Sequence, residues 1–280
     1  MKTLTTALVL GCLATTSWAE DTWLSIPPSP VMPAAVASGT TEINGIDMYY
    51  ATYGDDGGTP VLLIHGGLAH GDIWAAQVAD LARDHTVIVA DTRGHGRSTN
   101  DGSTYSYELL SQDYLALLDN LEIDQVHLVG WSDGANIGYS ISTTNPDRLA
   151  SHFAHAGNVT LDGIDPSIET NEVFGAYVGM MAEDYAAMSP TPDGFEAFLG
   201  GVAAMWGTEK PGGLSALTSV TVPTLVVQSE HDEAILTEHS QAIADAIPGA
   251  ELLVLEDVSH FASFQNPDAY TQAIREFIDQ

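Results

Sequence analysis

The chain has 280 residues, 45% of them hydrophobic, enough for a buried core in one domain with room for an insertion. Its 38 acidic against 7 basic side chains leave a net charge of −31, a balance that nucleic acid and anionic membrane surfaces repel. The only cysteine, Cys12, excludes an intrachain disulfide, so packing alone must hold the fold.

The first residues, MKTLTTALVLGCLATTSWAE, combine basic Lys2, a short apolar run and a small-x-small site at Ser17-Trp18-Ala19. This pattern predicts a secretory signal over residues 1–19, cut between Ala19 and Glu20, and hence a periplasmic or secreted protein. The rival reading is a lipid attached at Cys12. The leader's apolar core is too short to cross a membrane, and no later run of about 18 apolar residues follows. The acids are dispersed rather than gathered in a tail, as on a solvated surface; adaptation to high salt is a second reading of the same charge.

Residues 20–40 are rich in Pro, Ser and Ala without periodicity and predict a linker or extended arm. TEINGIDMYYATYG places Asn44-Gly45 between alternating flanks, a hairpin signal. Six apolar strands then alternate with helical stretches: PVLLIHGG (60–67), TVIVADTRG (86–94), QVHLVGWS (125–132), SHFAHAG (151–157), PTLVVQSE (223–230) and AELLVLED (250–257). Runs without polar alternation, separated by helices, predict an α/β fold with a mostly parallel, doubly wound sheet covered on both faces.

One interval breaks this rhythm. More than 60 residues separate the strand near 151–157, the sixth counting the hairpin, from the strand at 223, about twice what a crossover needs. Phe174, Val178, Met181 and Tyr185 follow helical spacing, with Asp165-Pro166 as a helix start; Phe195, Phe198, Val202 and Met205 share a second helical face. Pro190, Pro192 and KPGG (210–213) punctuate the segment. The expected organisation is a sheet domain in two parts, 41–157 and 219–280, with a small helical cap at 158–218.

Gly130-Trp131-Ser132-Asp133-Gly134 is a G-x-S-x-G pattern where a strand ends and a helix should begin. In a nucleophile elbow the serine adopts strained backbone to project its hydroxyl, and the helix packs so near the strand that only small residues fit. Gly130, Gly134, Ala135 and Gly138 satisfy that need. A serine needs a base to take its proton, and the base needs a third group to orient it. After such an elbow the acid and then the histidine follow in chain order, which selects Asp232 and His260, both in loops leaving strand carboxyl ends. Glu230 is set aside as a strand residue, Glu233 as too far into the loop, and Asp257 as a strand cap. The oxyanion donors are expected from the backbone N–H of Asp133 and from HGGLAH, through Gly67 or Leu68.

HGG, DTRGHGRS, GWSDGA, SEHDE and VSHFASFQNP together resemble the α/β-hydrolase superfamily over about residues 41–280, and GWSDG more narrowly its biphenyl-hydrolase-like branch, which includes valacyclovir-type esterases. The resemblance implies Ser132 as nucleophile, Asp232 as acid and His260 as base. It implies an enzyme acting on a small ester, thioester or lactone without cofactor or metal; aspartate-nucleophile epoxide hydrolases and haloalkane dehalogenases are disfavoured. A C–C hydrolase or cofactor-free peroxidase on the same triad is the alternative, and a non-catalytic binding module is the alternative of another class. The expected partner is a small molecule, with neither nucleic acid nor membrane insertion.

Three groups of residues invite a second reading. His152 and His155 would point to opposite faces of a strand, which argues against a shared metal, and His65 reads as structural. His95, Arg93 and Arg97 read as organisers of their loop. Asp133 either meets a cationic group of the substrate or bonds backbone or an arginine, Arg93 or Arg97, and so organises the elbow.

Overall fold

A computed structural model describes residues 21–54, 57–208 and 212–280; the leader and Cys12, together with Lys210 and Pro211, lie outside these. Eight strands form one sheet: β1 (Ala37–Ile43), β2 (Ile46–Tyr53), β3 (Val61–Ile64), β4 (Val87–Ala90), β5 (Val126–Trp131), β6 (Leu149–His155), β7 (Thr224–Ser229) and β8 (Glu251–Leu255). Their order is β1-β2-β4-β3-β5-β6-β7-β8. β1, β2 and β4 pair antiparallel, and every later pairing is parallel. The hairpin turns on Asn44 and Gly45, with φ of 48° and 83°, the left-handed pair that a two-residue loop of this twist requires.

All four residues of β3 and of β4 are buried, as expected for strands covered on both faces. The covering helices are α1 (Ala75–Leu81), α2 (Tyr107–Asn120), α3 (Asp133–Thr144), α7 (Thr237–Ala246) and α9 (Pro267–Ile278), with short α6 (Gly213–Leu217) and α8 (Ala262–Gln265). The chain reverses its direction of winding at β3, which lies between β4 and β5. Loops leaving the carboxyl ends of β3 and β5 therefore diverge around a crevice, the position where such sheets bind ligands.

Between β6 and β7 stand α4 (Glu172–Met188) and α5 (Phe195–Trp206). α4 buries Tyr177, Met181 and Tyr185, and α5 buries Phe198, Val202 and Met205. Asp165-Pro166 opens only a 3-10 turn, Pro166–Thr170; α4 begins six residues further on because Asn171 caps it, accepting from the N–H groups of Val173 and Phe174. The expected arm is also shorter than read, since β1 starts at Ala37. The start of the described arm contacts the loops that follow β7 and β8: Thr22 donates its hydroxyl to the Asp257 carbonyl, and Trp23 stacks on His231 with ring centroids 3.9 Å apart.

Candidate active site

Ser132 stands between β5 and α3 at φ 55° and ψ −115°, a left-handed conformation that a non-glycine residue holds only when its surroundings force it. The forcing is visible. Its N–H donates to the His155 carbonyl at 2.8 Å, and its carbonyl accepts from the Asn136 N–H at 3.1 Å, the first turn of α3. A Cβ on Gly134 would stand 2.1 Å from the Ile64 carbonyl oxygen, and one on Gly138 would stand 2.1 Å from Nε2 of His152. Only glycine lets α3 lie this close to the sheet.

The acid and histidine loops pair with each other, and His260 borders the same cavity as Ser132. Nδ1 of His260 lies 3.0 Å from Oδ1 and 3.2 Å from Oδ2 of Asp232. Oδ1 of Asp232 also accepts from the N–H groups of Ala234 and Ile235, both at 2.9 Å, which fixes the carboxylate against rotation. His260 is held at its backbone as well: its N–H donates to Glu233 at 3.0 Å and its carbonyl accepts the Trp131 indole N–H at 2.8 Å. With Nδ1–H given to Asp232, the neutral imidazole keeps Nε2 as its acceptor. Burial alone would lower the His260 pKa, but the charge and hydrogen bond of Asp232, with Glu233 beside it, hold it above the ordinary value. Burial would raise Asp232, yet His260 and the Ile235 N–H hold it below the usual carboxylate range. The two shifts describe one polarised pair.

The set-aside acids have other partners. Glu230 lies just past the end of β7 rather than on it, and accepts from the Asp257 N–H at 3.0 Å. Burial raises the Glu233 carboxyl, which serves the His260 backbone rather than its ring. Glu230, His231 and Asp257 form a surface cluster with ligand atoms within 4.8 Å of one another, a grouping common among exposed acids without a metal.

Ser132, Asp133, Gly67, Trp131 and His260 all border a cavity of about 580 Å³ roofed by α4 and α5. Gly67 lies on this wall, whereas Leu68, buried with φ 68°, is not among its lining residues. Gly67 is tightly enclosed, since a Cβ there would fall 2.5 Å from Trp206 and 2.6 Å from Asp133. Its carbonyl accepts the Tyr177 hydroxyl of α4 at 2.6 Å.

Asp133 bonds neither Arg93 nor Arg97. Its carboxylate accepts the Tyr107 hydroxyl at 2.6 Å and the Trp206 indole N–H at 2.8 Å. The arginines are engaged elsewhere: Arg93 with Asp113 at 2.7 Å and Asp101 at 2.9 Å, Arg97 with Asp91 at 2.7 Å and Asp72 at 2.8 Å. Tyr107, Tyr177 and Trp206 carry no motif that would have marked them in the sequence.

His65, His152 and His155 are accounted for by their neighbours. His65 donates Nδ1–H to the Gly66 carbonyl at 2.7 Å and accepts the Thr92 N–H at 3.0 Å, and burial pushes its pKa down to about 3. His152 packs edge-on to Tyr139 of α3, whereas His155 contacts Ser229 and Tyr270 of α9, so they face opposite sides of β6. Burial takes both to about 3.

Comparison with known proteins agrees with this architecture. The model of the alpha/beta hydrolase family matches residues 61–273. RutD of Pseudomonas savastanoi pv. phaseolicola, assigned provisionally to carbamate hydrolysis, is 26% identical over 79% of this chain and 94% of its own. The 3-oxoadipate enol-lactonase 2 of Acinetobacter baylyi is 26% identical over 87% of this chain and 97% of its own. Among solved structures, Est816, described as degrading N-acyl homoserine lactones, superposes with a TM-score of 0.69 at 29% identity, covering 86% of this chain and all of that one. The enzyme relatives, the matched model and the eight-stranded sheet with its elbow place the chain in the alpha/beta hydrolase family, as a hydrolase of small substrates.

Proposed function

We propose that the protein is an exported serine hydrolase that cleaves a small uncyclised ester or a lactone bearing an apolar group. The observation carrying this reading is the conjunction of Ser132 in left-handed strand-to-helix backbone, the Asp232–His260 pair at 3.0 Å, and a single cavity that both Ser132 and His260 border. Ser132 Oγ attacks the carbonyl carbon while Nε2 of His260 takes its proton, and Asp232 stabilises the imidazolium. The N–H groups of Asp133 and Gly67 are the donors for the tetrahedral oxyanion. The intermediate collapses, the C–O bond breaks, and His260 returns the proton to the leaving alcohol. Water, deprotonated by His260, then releases the acid and restores the serine.

An ester or lactone is favoured by the apolar cap walls, Leu161, Ile164, Phe174 and Val178, with Ile235 of the acid loop opposite, and by likeness to Est816. The leader at residues 1–19 supports export, which N-terminal sequencing of the secreted chain from Glu20 would check. The decisive experiment uses a fluorophosphonate and a panel of p-nitrophenyl esters. The parent should be labelled at Ser132, and Ser132→Ala should lose labelling and turnover by a factor on the order of 10⁶ with its thermal midpoint nearly unchanged. A loss of less than about tenfold would remove Ser132 from the mechanism.

A further inference from the structure

The walls of the catalytic cavity carry charge of one sign. Asp133 and Glu169 line it, and Asp232 and Glu233 stand behind His260. Among the described residues no lysine or arginine borders it. Each described arginine is tied to carboxylates elsewhere: Arg83 to Asp80, Arg93 to Asp113, Arg97 to Asp91, Arg148 to Asp119 and Arg275 to Asp80. The positive character of His260 is already matched by Asp232.

Asp133 is the telling residue. It is only 5% exposed, and both its partners, the Tyr107 hydroxyl and the Trp206 indole, are neutral donors. They satisfy its lone pairs without cancelling its charge. A carboxylate on the substrate would therefore lose its water against apolar walls, find no cation among the described residues, and face the fields of Asp133 and Glu169. The net charge of −31 adds a repulsive field on approach. A cationic substrate is drawn by the same fields but also loses its water against the apolar walls and finds the oxygens of Asp133 already bonded to Tyr107 and Trp206, so attraction and desolvation offset each other.

We propose that this cavity is a charge filter: it accepts uncharged esters or lactones and excludes substrates that carry a further carboxylate. The filter also favours turnover. Hydrolysis converts the neutral acyl group into an acid that ionises, so the product becomes the species that the walls repel. The inference rests on the ester-hydrolase reading above, and the test separates the two.

kcat/KM is measured for p-nitrophenyl hexanoate, for the mono-p-nitrophenyl ester of adipic acid, which replaces the terminal methyl by a carboxylate, and for an ω-ammonium analogue of equal length. The hexanoate should lead the adipate by about tenfold or more, with the gap narrowing as salt screens the walls. Glu169→Lys should narrow it at low salt by raising the adipate rate. Equal rates on hexanoate and adipate would overturn the filter while leaving the hydrolase standing. A tenfold preference for the ammonium ester, abolished by Asp133→Asn, would overturn it in favour of cation recognition. If no ester is turned over, the hydrolase reading falls and the filter with it.

Discussion

Tyr177→Phe removes one oxygen atom from the cap and tests whether the cap holds the oxyanion loop in place. The ring of Tyr177 packs 5.8 Å from Trp131 and 4.8 Å from Phe261, centroid to centroid, and phenylalanine keeps both contacts. What is lost is the 2.6 Å bond to the Gly67 carbonyl. Burial, with Asp133 and Asp184 nearby, keeps that hydroxyl protonated and so always a donor. Stranding a buried carbonyl costs roughly 1–3 kcal/mol. Nearby, the loop keeps the Ala69-to-Gly66 bond at 3.3 Å, and Trp206 and Asp133 still enclose Gly67, so the expected displacement is a small tilt of its carbonyl. Each 1.36 kcal/mol is about tenfold in rate, so if that cost is expressed at the transition state kcat should fall by between about 5-fold and 160-fold. Complete loss of an oxyanion donor, about 10² to 10³, sets the ceiling. KM should hold because the wall keeps its shape, and the thermal midpoint should drop by a few degrees. Steady-state kinetics on a p-nitrophenyl ester, with a thermal melt of the same sample, measure both. A kcat within twofold of the parent in a variant that melts lower would show that Gly67 is positioned without Tyr177.

Two further outcomes follow from charge. His260 works as a base only when neutral, and Asp232 raises its pKa, so kcat/KM should fall as pH drops through an apparent value above the ordinary imidazole figure of about 6.5. A pH–rate profile whose acid limb lay near pH ~4, in a protein still folded there, would contradict this assignment. With a net charge of −31 the folded state repels itself, so the thermal midpoint should rise as NaCl is increased toward about 1 M, where screening reaches ~3 Å. A midpoint that fell with salt would mean that ion pairs such as Arg97–Asp91 outweigh the repulsion.

What could be read from the sequence depended on how local its cause was. The hairpin was legible because Asn44 and Gly45 are the residues that tolerate positive φ at both turn positions. β3 and β4 were legible as unbroken apolar runs, but their ends were not, because the crevice loops stay buried after strand pairing stops, as at His65 and Gly66. β1 escaped detection at Ala37 because it is an edge strand, exposed along much of its length and without apolar alternation. The start of α4 is not legible at Asp165 because that residue caps a turn, accepting from the Ser167 N–H, while Asn171 caps the helix itself. Asp232 and His260 could be paired from chain order, as each follows a strand end on one sheet edge. The partners of Asp133 could not, since Tyr107 and Trp206 lie 26 and 73 residues away on elements with their own periodicity.

The residues that escaped the sequence reading also explain why cap and sheet cannot be considered separately. Asp133 divides its tasks: its backbone N–H stands at the start of α3 beside Ser132, while its carboxylate reaches Trp206 at the end of α5. Gly67 divides in the same way, itself on the cavity wall while its carbonyl bonds Tyr177 of α4. His70, further along the same loop, meets Asp184 of α4 at 3.2 Å. The cap is thus tied to the elbow and to the oxyanion loop by polar contacts, each within a few residues of a proposed oxyanion donor. A shift of α4 or α5 moves the donors as well as the walls. Substitutions in the cap that break these contacts should therefore lower kcat whether or not KM moves, whereas a cap acting only as a lid would change KM alone.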